Sequence, residues 1–164
     1  MLTADGIPIA HTPAGGWHGQ MPPPILAGCT EALAPGAPDL RGLWRAIAAE
    51  SNGRALTDHP LNSHVERIEQ CGNRVVITAG HVVHDMRADG TLENGVDDVA
   101  EADLSRNIKV AAVFNGGRLD LHPFGIAPGR PPLVTREVVN DELIWHYGPF
   151  RVTLRRTGDT NERR

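Results

Sequence analysis

Asn107-Ile-Lys-Val-Ala-Ala-Val-Phe-Asn-Gly-Gly-Arg-Leu-Asp-Leu-His-Pro123 is the stretch on which the fold turns. Ile108, Val110, Ala112 and Phe114 alternate with Lys109, Ala111 and Val113. Beyond Asn115-Gly116-Gly117, Leu119 and Leu121 alternate with Arg118, Asp120 and His122. A period of two is the signature of a strand, whose successive side chains leave on opposite faces. Asn-Gly-Gly accepts the positive φ of a short connection, so the stretch predicts an antiparallel hairpin.

The same grammar extends both ways. Tight-turn signals stand at Gly72-Asn73, Asp89-Gly90, Asn140-Asp141 and Gly148-Pro149. Strand composition fills 64–70, 73–79, 82–87, 96–100, 107–114, 117–123, 133–139, 142–147 and 150–156. Leu143, Trp145 and Tyr147 share one face, as do Phe150, Val152 and Leu154, whereas Arg151, Thr153 and Arg155 face the other way. One apolar and one wet face mark antiparallel sheet. Many short, evenly spaced strands predict a sandwich or barrel, and closure removes exposed edges. The expected fold class is all-β, an antiparallel meander closed into a small barrel over residues 40–157.

With 164 residues and 17.7 kDa, the chain suits a single domain that needs no metal or disulfide staple. A net charge of −4 argues against binding nucleic acid through phosphates. No run of about 18 apolar residues predicts a membrane span. Residues 1–39 are different material. They contain no Lys or Arg and carry Pro8, Pro13, Pro22, Pro23, Pro24, Pro35 and Pro38. This composition predicts an arm that is mobile or lies along the domain. Trp17, Ile25 and Leu26 are available there to dock on the domain or on a partner subunit, which leaves a homodimer open. Leu26-Ala27-Gly28-Cys29 spells a bacterial lipoprotein cleavage site, but no basic start or apolar stretch precedes it, so the reading is cytoplasmic. Cys29 and Cys71 are too few for a disulfide framework. Residues 158–164 read as a polar tail.

Leu40, Leu43, Trp44, Ile47 and Ala48 also fit a helical stripe. Gly42-Leu43-Trp44-Arg45-Ala46-Ile47-Ala48, however, resembles the opening motif of the lipocalins, members of the calycin superfamily. The resemblance implies that this segment is the first barrel strand. It also implies that Trp44 closes the barrel floor under an arginine from near the last strand, Arg151 or Arg155. The small Ala46 and Ala48 are expected to leave room beside Trp44. The chain departs from the pattern in three ways. It lacks a Thr-Asp-Tyr element. Residues 51–63 are lid-like without the helix pair of the fatty-acid-binding subgroup. No histidine occurs in 148–164 to hold the haem of the nitrobindins.

The histidines and the apolar faces carry the functional expectation. His84 shares a strand face with Val82 and Met86 and should look inward, whereas His81, three residues away, points to the other face. His122 and His146 read as outward. The barrel is expected to bind a small apolar or aromatic molecule against Trp145, Tyr147, Met86, Ile108, Val110, Ala112 and His84. The alternative is a cofactor-independent isomerase, cyclase or lyase. There His84 moves the proton, Asp85, Asp97 or Asp98 orients it, and Tyr147 donates to an oxyanion. A carboxylate beside His84 would favour catalysis; aliphatic surroundings would favour binding. No cofactor or metal is expected, because the chain has no Gly-x-Ser-x-Gly, phosphate loop, dinucleotide fingerprint or zinc pattern. Lys109 is the sole lysine.

Overall fold

The structure, a computed structural model, describes residues 2–158, so the tail beyond Gly158 lies outside the described residues. Eleven strands form among the described residues: β1 (Gly42–Ser51), β2 (Arg54–Ala55), β3 (Val65–Cys71), β4 (Arg74–Ala79), β5 (Val82–Arg87), β6 (Val96–Val99), β7 (Asn107–Asn115), β8 (Arg118–Pro123), β9 (Val134–Val139), β10 (Glu142–Tyr147) and β11 (Phe150–Gly158). Short 3-10 turns occupy Ala4–Gly6 and Pro60–Ser63, and no α-helix forms among the described residues. The strand order β5-β4-β3-β1-β11-β10-β9-β8-β7-β6, with β2 flanking β1, is a meander closed by pairing of β1 with β11. Asn140 and Asp141 both take positive φ (51° and 65°) between β9 and β10, as a two-residue hairpin requires.

The helical spacing of 40–50 has a specific cause. The β1–β11 register slips between Ala46 and Ala48. Such a bulge adds one residue to the period of two. Trp44, Ala46 and Ala49 therefore enter the core while Ile47 stays 47% exposed. Ala48, expected beside Trp44, is exposed, and Ala49 takes the buried position.

Trp44 is fully buried and donates Nε1–H to the Leu40 carbonyl (3.0 Å). The guanidinium over its ring, 4.5 Å from the centroid, belongs to Arg156, not to Arg151 or Arg155. Parity explains the correction: Arg156 shares the inward face with Val152 and Leu154. Arg155 pairs outside with Glu142 (3.3 Å), and Arg151 is exposed. A Cβ at Gly42 would meet Arg156 Nε at 2.8 Å and Trp44 Nε1 at 3.0 Å, so close packing requires glycine there.

The arm is a second layer over the outer face of β3, β4 and β5. Its Ala4, Ile7, Ala10, Trp17, Ile25, Leu26 and Cys29 pack with Cys71, Val76 and Val83. Ile25 and Leu26 donate backbone N–H to the Glu69 carboxylate (3.0 and 2.7 Å), and Trp17 Nε1–H donates to the Val82 carbonyl (3.0 Å). Arg74 donates to the carbonyls of Ala4, Ile7 and Pro8 and pairs with Asp85 (2.6 Å). A disulfide joins Cys29 to Cys71 across 42 positions, so neither cysteine is a free thiol. The arm is therefore docked rather than mobile.

β5 and β6 are the two ends of the sheet, and the seam between them is the barrel's open edge. It is closed by Arg87 N–H to the Asn94 carbonyl (2.8 Å) and by His84 Nε2 to the Val99 carbonyl (2.8 Å).

Candidate functional site

Above the Trp44 layer the lumen encloses a cavity of about 750 Å³. Its wall draws on β4 and β5 (Ile77, Val82, His84, Met86), β7 and β8 (Ile108, Val110, Leu121) and β10 (Trp145, Tyr147). The loop before β7 adds Glu101 and Arg106 at the rim. The apolar residues alternate into the lumen as their strand periods require. A second space of about 430 Å³ lies outside, between arm residues 4–11 and β5–β6. Its Arg74, Asp85 and Asp98 are already bonded to the arm. Met86 lines both spaces.

Several expected site residues therefore meet. His84, Met86, Ile108, Val110, Trp145 and Tyr147 line one cavity, with Tyr147 at 41% exposure near its mouth. Ala112 does not; it is fully buried in the packed core. Asp85 and Asp97 are corrected as well. Asp85 leaves β5 on the face opposite His84 and accepts Ala10 N–H (2.8 Å) besides Arg74. Asp97 is exposed and accepts from Asn107 Nδ2 (2.8 Å). Asp98 accepts Thr12 N–H (3.0 Å). None orients His84. His84 meets neither a carboxylate nor aliphatics alone: Nε2 faces the Val99 carbonyl. His146 is exposed, whereas His122 is buried.

The sequence reading missed an ion pair that spans the lumen. Arg136 of β9 donates Nε–H to Glu66 Oε2 of β3 (2.8 Å) and Nη2–H to Oε1 (3.3 Å). The His64 ring nitrogen Nε2 lies 2.8 Å from the same Oε1. Burial opposes the charge on Glu66, but the Arg136 guanidinium and the His64 ring outweigh it and hold its carboxyl at about 2. Trp145 packs between these partners, its ring 4.5 Å from His64 and 5.1 Å from the Arg136 guanidinium. Glu101 behaves oppositely. Burial pushes its carboxyl up, with the charges of His64, Arg136 and His84 pulling the other way. A signal for the pair exists in the sequence. Glu66 interrupts the face of Ile68, and Arg136 interrupts the face of Val134 and Val138. Two opposite charges on inward faces of one barrel need each other.

No family model matches the chain, and no curated protein matches it in sequence. Among solved structures, human cRBP IV, a cellular retinol-binding protein, matches with a TM-score of 0.53 and 17% identity. The match covers 73% of this chain and 98% of that one. No helix among the described residues is long and apolar enough to cross a membrane. Taken with the bulged β1, the Trp44–Arg156 floor and the ten-strand meander, the match shows the fold of this chain, a lipocalin-like antiparallel β-barrel.

Proposed function

We propose that the barrel binds a small, largely apolar or aromatic molecule in its lumen. The observation that carries the reading is the cavity of about 750 Å³ walled by Ile77, Met86, Ile108, Val110 and Trp145. That volume falls in the usual range for small-molecule sites, about 300–1,000 Å³, and its wall is mostly apolar with a few polar groups, as such sites are. The binding function named for human cRBP IV supports the class of ligand without specifying it. Trp145 and Tyr147 supply aromatic surface, and Arg136 reaches the lumen with its charge already balanced by Glu66, which favours an uncharged ligand. The Cys29–Cys71 bridge fits an oxidising compartment better than the cytoplasm expected from the sequence.

Titration with the apolar dye Nile red tests this. The expected result is saturable dye emission with quenching of Trp145, and loss of binding by roughly tenfold or more in Val110→Trp, which fills the wall. A wild-type protein that neither takes up dye nor changes its tryptophan emission overturns the proposal.

A further inference from the structure

We propose that the same lumen also catalyses proton transfer at the carbon beside a ketone carbonyl of a bound apolar molecule, with His84 as base and Glu101 as acid. The proposal rests on the lumen being a binding site and adds a reaction to it. Its geometric ground is the fixed orientation of His84. A backbone carbonyl only accepts, so the Val99 contact (2.8 Å) places the hydrogen on Nε2 and leaves the lone pair of the neutral ring on Nδ1. His84 lines the cavity, and Nδ1 makes no hydrogen bond among the described residues. The base is thus held by the edge strand β6, two residues before Glu101.

Glu101 lines the same cavity, its carboxyl pressed against Gly80 so closely that a Cβ there would collide with it. No hydrogen bond among the described residues engages that carboxyl. Glu101 is exposed at the cavity rim, where desolvation by its neighbours raises its carboxyl and favours the proton-bearing form that a donor needs. An available lone pair and a carboxyl on the wall of one cavity are the two groups that enolisation needs.

In the forward step, His84 Nδ1 takes a proton from the α-carbon. The C–H electron pair becomes a carbon–carbon double bond to the carbonyl carbon. The carbonyl π pair moves to oxygen, which takes the Glu101 proton. Reversal, with a hydrogen of solvent origin on His84, restores the ketone and the carboxylic acid. The net change is hydrogen exchange, or double-bond migration in a β,γ-unsaturated ketone. No oxidant, reductant or co-reactant is consumed.

The test follows 2-decalone in buffered D2O by NMR, with wild type, His84→Gln and Glu101→Gln at saturating ketone. The glutamine amide at 84 can still donate to Val99, so this variant removes the base while keeping the contact; thermal unfolding verifies the fold of each variant. The expected result is wild-type α-hydrogen exchange at least about tenfold above that of free imidazole at equal concentration. It includes a loss of roughly 10²-fold in His84→Gln and a smaller loss in Glu101→Gln. Undiminished exchange in His84→Gln overturns the proposal, as does wild type that binds 2-decalone without exchanging it. If neither 2-decalone nor Nile red binds, the lumen reading itself fails, and that outcome is separately visible from the binding signal.

Discussion

Trp44→Ala removes a fully buried ring stacked under Arg156 and hydrogen-bonded to Leu40. Deleting a large aromatic from a core costs roughly 3–5 kcal/mol, so the urea midpoint should fall by a corresponding amount. An unchanged midpoint would show that the floor is held by other residues. Glu66 makes a second residue-scale prediction. Its folded carboxyl titrates at about 2, below the ordinary 4.5, so the unfolded chain binds more protons as pH falls. The stabilisation is therefore present above pH 4.5 and is lost as pH falls toward 2, a contribution on the order of 3 kcal/mol. Glu101, with its carboxyl raised, acts in the opposite sense: its contribution is full below 4.5 and is lost as pH rises through its folded value. Acid unfolding followed by circular dichroism should show the Glu66 limb in wild type and not in Glu66→Gln, which loses stability at neutral pH because Arg136 is left buried without its partner. At this scale, which way a side chain points was legible, since alternation assigns His84, Met86, Trp145 and Val110 to the lumen. The identity of partners was not. Arg156 and Arg155 differ by one position, and only parity with Leu154 separates them. Glu66 and Arg136 stand 70 positions apart, where no local pattern couples them.

The strands were legible because each hairpin carries its own instructions, a turn residue pair and a period of two. Asn140-Asp141 and Gly148-Pro149 bound β10 where the structure has it. The bulge in β1 disguised a strand as a helical stripe, and the resemblance of its motif, rather than its periodicity, pointed the right way. The arm was not legible as a layer, although a clue stood in β4. Val75, Val76 and Ile77 are apolar on both faces, and a strand with no wet face needs a cover on each side. The cover is the proline-rich segment, which cannot form helix or central strand and so satisfies its backbone with Glu69, Asp85 and Arg74 side chains. The disulfide pins it. Closing a loop of 42 positions removes about 4 kcal/mol of unfolded-state entropy in the chain-entropy model. Cys29→Ser/Cys71→Ser, or wild type with a thiol reductant, should therefore unfold at a lower temperature. Limited proteolysis should then cut first within residues 1–35. A reduced protein with unchanged melting and cleavage would mean that the side-chain ties to the arm suffice without the bridge.

Across the whole molecule, the arm also closes the barrel. Ten paired strands leave β5 and β6 as unpaired ends, and an open edge in a sheet is a row of unsatisfied backbone groups. Residues 10 and 12 cross that gap on the outside: Ala10 N–H is held by Asp85 of β5 and Thr12 N–H by Asp98 of β6. His84 crosses it on the inside through Val99, and Met86 separates the outer groove from the lumen. The lumen cavity thus has two boundaries, a mouth framed by Phe124, Leu133 and Tyr147 and a seam strapped by the arm. Asp98→Ala cuts the strap from β6 while leaving Asp85, the disulfide and the lumen wall in place. If the seam is a passage, Nile red should leave this variant several-fold faster in a stopped-flow chase, with a loss of stability of about 1–3 kcal/mol from the unsatisfied Thr12 donor. An unchanged release rate would assign all traffic to the mouth, where Tyr147→Ala or Phe124→Ala should then speed release instead.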